Sequence, residues 1–154
     1  MSAYMASANP PRDVRLMQVV FGLLAIQFFI PSFGYLLMPD LAMSQADQIG
    51  RLLGGGPYPI ADERGIIFRV LAAGNVFTLG FLCTMMAVDI KRYRALIPAF
   101  VVLKGYSAIG YLFTYFVYLR HPLFPAIFFW DGLAAVLVVY FGRRALRALN
   151  QPSS

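Results

Sequence analysis

The stretch ALIPAFVVLKGYSAIGYLFTYFVYL, residues 95–119, decides how this chain folds. It is long enough to cross a bilayer, since a span takes about 20 predominantly apolar residues. Lys104, Ser107, Tyr111, Tyr115 and Tyr118 follow one another through it at spacings of three and four, so on a helix they form one polar stripe. The stripe runs from near mid-membrane to one surface. Polar groups in hydrocarbon are expensive and ordinarily face a protein interior or a wet cavity. The stripe therefore marks where to look for a site without naming an activity.

Three further runs have the same character: Leu16 to Met38, Ile66 to Val88 and Leu123 to Phe141. Of the 154 residues, 60% are hydrophobic and only 13% charged. Soluble domains are about half apolar and a quarter charged, and one of this size could not hide the surplus. The first run is too long for a signal-peptide core and reads as a retained span. Pro31 should kink it, because proline removes a backbone donor and crowds the preceding turn. The expectation is one all-α integral membrane domain over residues 1–154, with spans near 16–38, 66–88, 95–119 and 123–141. The links Asp89–Arg94 and Arg120–Pro122 are short, which makes the joined spans antiparallel neighbours in an up-down-up-down bundle.

The charges orient this bundle. One side carries Arg12, Arg15, Lys91, Arg92, Arg94, Arg143, Arg144 and Arg147. The other carries Arg51, Arg64 and Arg120, diluted by Asp40, Asp47, Asp62 and Glu63. Basic residues mark the cytoplasmic side, so both termini are expected there. The net charge of +6 thus belongs to membrane orientation. No basic-aromatic module accompanies it, and nucleic acid is set aside.

The outer loop, residues 40–64, should form a short amphipathic helix lying on the membrane surface. Ala42, Ala46, Ile49 and Leu53 share a face, and Asp40 is placed to cap its start. Gly54, Gly55 and Gly56, followed by Pro57 and Pro59, end it in a turn. The glycines are no phosphate loop, because the GK[ST] ending and a preceding strand are missing.

Small residues identify packing faces. Arg69, Ala73, Gly80 and Thr84 share one face of the second span. Asp131, Ala134, Ala135, Val138 and Gly142 share one of the fourth, and Gln27, Pro31, Gly34 and Tyr35 one of the first. Asn75 lies off the Arg69 face. Arg69 and Asp131 are placed to meet, and Lys104 can reach Asp131 by extending its stem. An unpaired charge at mid-membrane costs at least ~2.5–3.5 kcal/mol, so a pair or triad, or a neutralised lysine, is expected.

Two readings of this cluster stand side by side. In one it is a buried ion pair that fixes helix register. In the other it lines a pocket for a lipid, quinone or other amphiphile. Its polar groups would be Arg69, Lys104, Ser107, Tyr111, Tyr115, Asp131, Gln27 and Asn75, and its apolar walls Phe77, Phe113, Phe128, Phe129 and Trp130. Two cations with one anion make a poor cation relay.

Other chemistry is thinly represented. A lone Cys83 excludes an internal disulfide and a thiolate metal cage, and a lone His121 excludes a bis-histidine haem within one chain. There is no HExxH, no GxSxG and no carboxylate pair within a span. Ser107 and Lys104 have the spacing of a Ser–Lys dyad but no evident oxyanion hole. His121 reads as a solvated loop residue. No catalytic residue and no metal ligand is nominated.

From Ile66 to Ala145, the opening arginine with spaced glycines (Arg69, Gly74, Gly80), the basic turn (Asp89, Lys91, Arg92, Arg94) and Lys104 form a pattern. It resembles the small four-helix bacterial membrane proteins grouped as DoxX-like or left uncharacterised. The first half matches no such pattern. The resemblance implies the bacterial inner membrane, and since some DoxX-type proteins accompany quinone-linked oxidoreductases it favours a quinone as ligand. It transfers no catalytic residue. The function expected is an inner-membrane accessory or binding protein, partnered by the bilayer and by a larger complex or a second copy. The alternatives are a quinone-reactive subunit or small membrane enzyme, and a purely structural subunit.

Overall fold

The computed structural model describes residues 10–56 and 66–150, with the side chains of Ala42 and residues 66–69 left aside. Five helices follow in order: α1 Arg12–Leu37, α2 Pro39–Leu52, α3 Ile66–Val88, α4 Leu96–Val117 and α5 Leu123–Asn150. No strand occurs among the described residues. All but α2 are long and apolar enough to cross a membrane. Their outward side chains suit that solvent: Ile30 on α1, Leu71 on α3, Ile109 on α4 and Val136 on α5 are more than half exposed. A water-soluble protein rarely leaves such apolar surface uncovered.

Proline and glycine set the boundaries. α1 starts after Pro11, whose carbonyl accepts from the amides of Val14 and Arg15 at 3.0 and 3.1 Å. It ends where Pro39 cannot donate to the next turn, and Pro39 instead opens α2, at a position whose amide would have no helical partner anyway. Met38 holds the N-cap position of α2 without a side-chain cap, so Asp40 lies in the first turn and does not cap it. There its charge still complements the helix dipole.

Helix neighbours differ from expectation at one point. α1 packs most extensively on α3 and α4 on α5, while α1 also joins α5. α3 and α4, linked by the short turn at Asp89–Ala95, touch little. A tight turn brings together only the ends of two helices; close approach along their length needs small residues. Gly80 supplies this between α3 and α1: a Cβ there would lie 2.9 Å from the Phe29 ring and 3.2 Å from the Ala25 carbonyl oxygen. Ser32 on α1 adds a hydrogen bond, its hydroxyl donating to the Ala73 carbonyl at 2.8 Å. Gly142 on α5 similarly makes room for Ile97 of α4. On α3, Ala73 and Gly80 are buried as expected, whereas Thr84 is exposed and turns its hydroxyl back to the Gly80 carbonyl at 2.9 Å.

One end of the bundle gathers the basic residues. Arg144 of α5 donates to Asp13 in the first turn of α1 at 2.6 Å. Lys91, in the α3–α4 turn, donates to the Leu149 carbonyl at 3.0 Å. The start of α1, this turn and the end of α5 therefore lie together, and α5 continues as helix to Asn150, past the apolar run that ends at Phe141.

α2 is anchored through His121, in the link between α4 and α5. That histidine is only 5% exposed, which corrects its reading as a solvated loop residue. Its ring sits directly on Gly50, where a Cβ would overlap it, and Pro122 lies close against Gly55, 2.8 Å from where a Cβ would stand. The Leu123 amide donates to Nδ1 at 3.4 Å, which leaves Nε2 to donate to the Gly56 carbonyl at 3.0 Å. Of the expected apolar face, Ile49 and Leu53 are about half exposed and Ala46 is half-buried, while the side chain of Ala42 lies outside the described residues; Leu41 and Leu52 are exposed as well.

Candidate functional site

Phe100, Lys104 and Ala108 recur every fourth residue on α4, and all three are buried. Asp131, Ala134, Val138 and Gly142, spaced by three and then four, are likewise buried on one face of α5. The two stripes meet, and Lys104 Nζ donates to Asp131 Oδ1 at 2.5 Å. Lys104 is 6% exposed and Asp131 3%. The ammonium also lies 4.5 Å from the centroid of the Phe28 ring on α1, within cation–π range. Phe28 in turn packs at 5.8 Å on Phe100. Carboxylate and ring face together enclose the charge, joining three helices at one point.

The remaining residues of the expected pocket distribute unevenly. Ser107 and Tyr115 continue the Lys104 face of α4, half-buried, and Tyr111 stacks on Phe124 of α5 at 6.1 Å. Tyr118 at the end of the stripe is exposed. Gln27 on α1 has a buried Oε1 with no hydrogen-bond partner among the described residues. Asn75 is exposed on α3 and stands apart from the pair. The side chain of Arg69, and with it the anticipated Arg69–Asp131 contact, lies outside the described residues.

The apolar walls also differ. Phe77 packs against Phe29 and Phe33 of α1 at 5.1 and 6.1 Å, within the α1–α3 contact. Phe113, Phe129 and Trp130 are largely exposed, and Phe128 is half-buried. The aromatic ring at the pair is Phe28, with Phe100 packed against it. Phe100 had a signal, standing four residues before Lys104. Phe28 had none, since 16% of the chain is aromatic and nothing in α1 alone points to a cation.

The geometry limits the chemistry. Lys104 Nζ is directed to Asp131 and not to Ser107, so no Ser–Lys dyad is assembled. No group of three metal-ligating side chains occurs among the described residues. What remains is a compact neutral pair with hydroxyl groups extending from it along α4. Fold and site together define a helical protein with the span lengths and apolar exterior of multi-pass membrane proteins. No family model, curated protein or solved structure matches the chain.

Proposed function

We propose that the protein is a multi-pass accessory or binding subunit of the bacterial inner membrane, an antiparallel bundle with both termini cytoplasmic. In this reading it holds a lipophilic molecule, a lipid or a quinone, beside the Lys104–Asp131 pair. The carrying observation is the pair itself: a buried, mutually neutralised donor and acceptor from which the half-buried residues Ser107, Tyr111 and Tyr115 run on along one helix face. The weak contact between α3 and α4 supports it, because a loosely closed side lets an apolar molecule enter from the bilayer. The unpartnered Gln27 Oε1 adds an acceptor within the bundle. The DoxX-like pattern from Arg69 to Lys104 favours a quinone over other lipophiles.

Mass spectrometry of the purified chain tests this. A stoichiometric quinone or lipid retained by the natural sequence and lost on Ser107→Leu with Tyr111→Phe, with the bundle still folded, is the expected result. An empty natural protein, or a variant that keeps its ligand, rejects the site.

A second reading has its own observation in the tightness of the pair. At 2.5 Å, under the Phe28 ring and almost without solvent exposure, it fits a lock that sets the register of α4 on α5. If locking is its whole role, replacing Lys104 by Met and Asp131 by Asn together preserves folding and any complementing activity.

A further inference from the structure

A groove of about 660 Å³ runs along the outer face where α4 meets α5. Its floor is apolar, made by Val101 of α4 with Ala135, Val136 and Val139 of α5. At the basic end of the bundle it passes under Tyr140, Arg143, Arg144 and Arg147. From Ala135 to Arg147 the helix rises about 18 Å, the depth of a single leaflet's worth of chain and headgroup.

The arginines are not equivalent. Arg144 is held in place, donating to the Tyr140 hydroxyl at 2.9 Å and to Asp13 at 2.6 Å, which neutralises its charge. Arg143 and Arg147 are exposed and make no ion pair or hydrogen bond among the described residues. They stand four apart, one helical turn, on the same rim. The groove thus combines an acyl-sized apolar floor, a tyrosine at the boundary and two uncommitted guanidiniums at its mouth. Guanidinium forks match phosphate oxygens, and basic pockets between spans are known to take anionic lipid headgroups.

We propose that this groove is a site for an anionic glycerophospholipid, its phosphate between Arg143 and Arg147 and the first part of one acyl chain on Val101, Val136 and Val139. The proposal rests on the membrane reading but not on any ligand at Lys104. Charge complementarity commits it to an anionic lipid. A zwitterionic lipid brings its own cation to the rim, and a free anion leaves the apolar floor uncovered.

The experiment uses the full chain in detergent micelles carrying equal amounts of phosphatidylglycerol and phosphatidylcholine, with lipid retention read by native mass spectrometry. The natural sequence is expected to retain phosphatidylglycerol preferentially. Arg143→Gln with Arg147→Gln should lower that retention on the order of 25-fold, from about fivefold for each arginine at an anionic surface. Arg92→Gln with Arg94→Gln, at the same end but off the groove, should leave it unchanged. Val136→Trp fills the floor and should expel the lipid with every arginine in place; circular dichroism checks the fold of each variant. Equal retention of both lipids overturns the proposal, as does undiminished preference in the Arg143/Arg147 variant or a lipid that survives Val136→Trp. An equal loss in the Arg92/Arg94 variant would reveal diffuse charge attraction, and full displacement by inorganic phosphate a plain anion site; both reject the lipid groove. A chain that fails to integrate into membranes would instead remove the membrane reading itself.

Discussion

At Lys104 the ammonium sits between the Asp131 carboxylate and the Phe28 ring, and each neighbour offsets part of the cost of leaving water. Such a pair adds little net stability, because desolvating two ions consumes most of their attraction. Removing one member is another matter, since the survivor stays buried and uncompensated. Lys104→Met alone should therefore destabilise the bundle by about 3–5 kcal/mol. Adding Asp131→Asn should restore most of that loss, and thermal unfolding of the three proteins in detergent measures both steps. A double variant no more stable than the single one would mean that the pair is not a mutually compensating unit. Gly80 offers an independent test of packing. Its hydrogen faces the Phe29 ring and a backbone oxygen, so Gly80→Val should cost about 1–3 kcal/mol by overpacking in the same assay. Gly74, with nothing within 4 Å of an added Cβ, should accept alanine with little change.

Among the elements, α2 is fastened at its C-terminal end by the His121 ring. His121 fills the space over Gly50 and its Nε2 donates to Gly56, so the short helix and its exit are fastened to the α4–α5 link. Gly50→Val should push the ring out, and His121→Ala should remove it. Either change is expected to raise amide hydrogen exchange across Pro39–Leu52 while α1, α4 and α5 keep their protection. Uniform loss of protection would show instead that this contact supports the whole bundle. None of this was visible in the sequence, because a histidine between an arginine and a proline has no periodicity to mark its burial. The spans were readable, since length and apolarity suffice for them. The pairing of α1 with α3 over α3 with α4 was not, because turn length constrains helix ends and the decisive contacts lie at Gly80 and Ser32. Lys104 and Asp131 were readable for the opposite reason: each is a solitary charge in an apolar run, and helical spacing fixed the face each would present. Phe28 escaped notice among so many rings.

Across the molecule, the asymmetry of charge becomes an asymmetry of ends. Asp13 with Arg144 and Lys91 with the Leu149 carbonyl bring the basic segments together, while α2 and His121 occupy the link at the end of α4. The orientation proposed above predicts which end a membrane-impermeant maleimide reaches. In a Cys83→Ala background, Gln48→Cys should label in intact cells and Arg92→Cys only after the cytoplasm is opened. The reverse pattern would invert the topology. The ion pair carries a further implication, for biogenesis. α4 leaves the ribosome with Lys104 before α5 has supplied Asp131, and until then that charge has no partner carboxylate in its own helix. With only Arg120, His121 and Pro122 near their junction, α4 and α5 are suited to enter the membrane as one hairpin. A chain truncated after Leu119 should integrate poorly and be degraded, whereas one that also carries α5 should resist carbonate extraction. On that expectation, stable insertion of α4 depends on the arrival of α5, and Asp131→Leu in the longer chain should reproduce the defect of the truncated one.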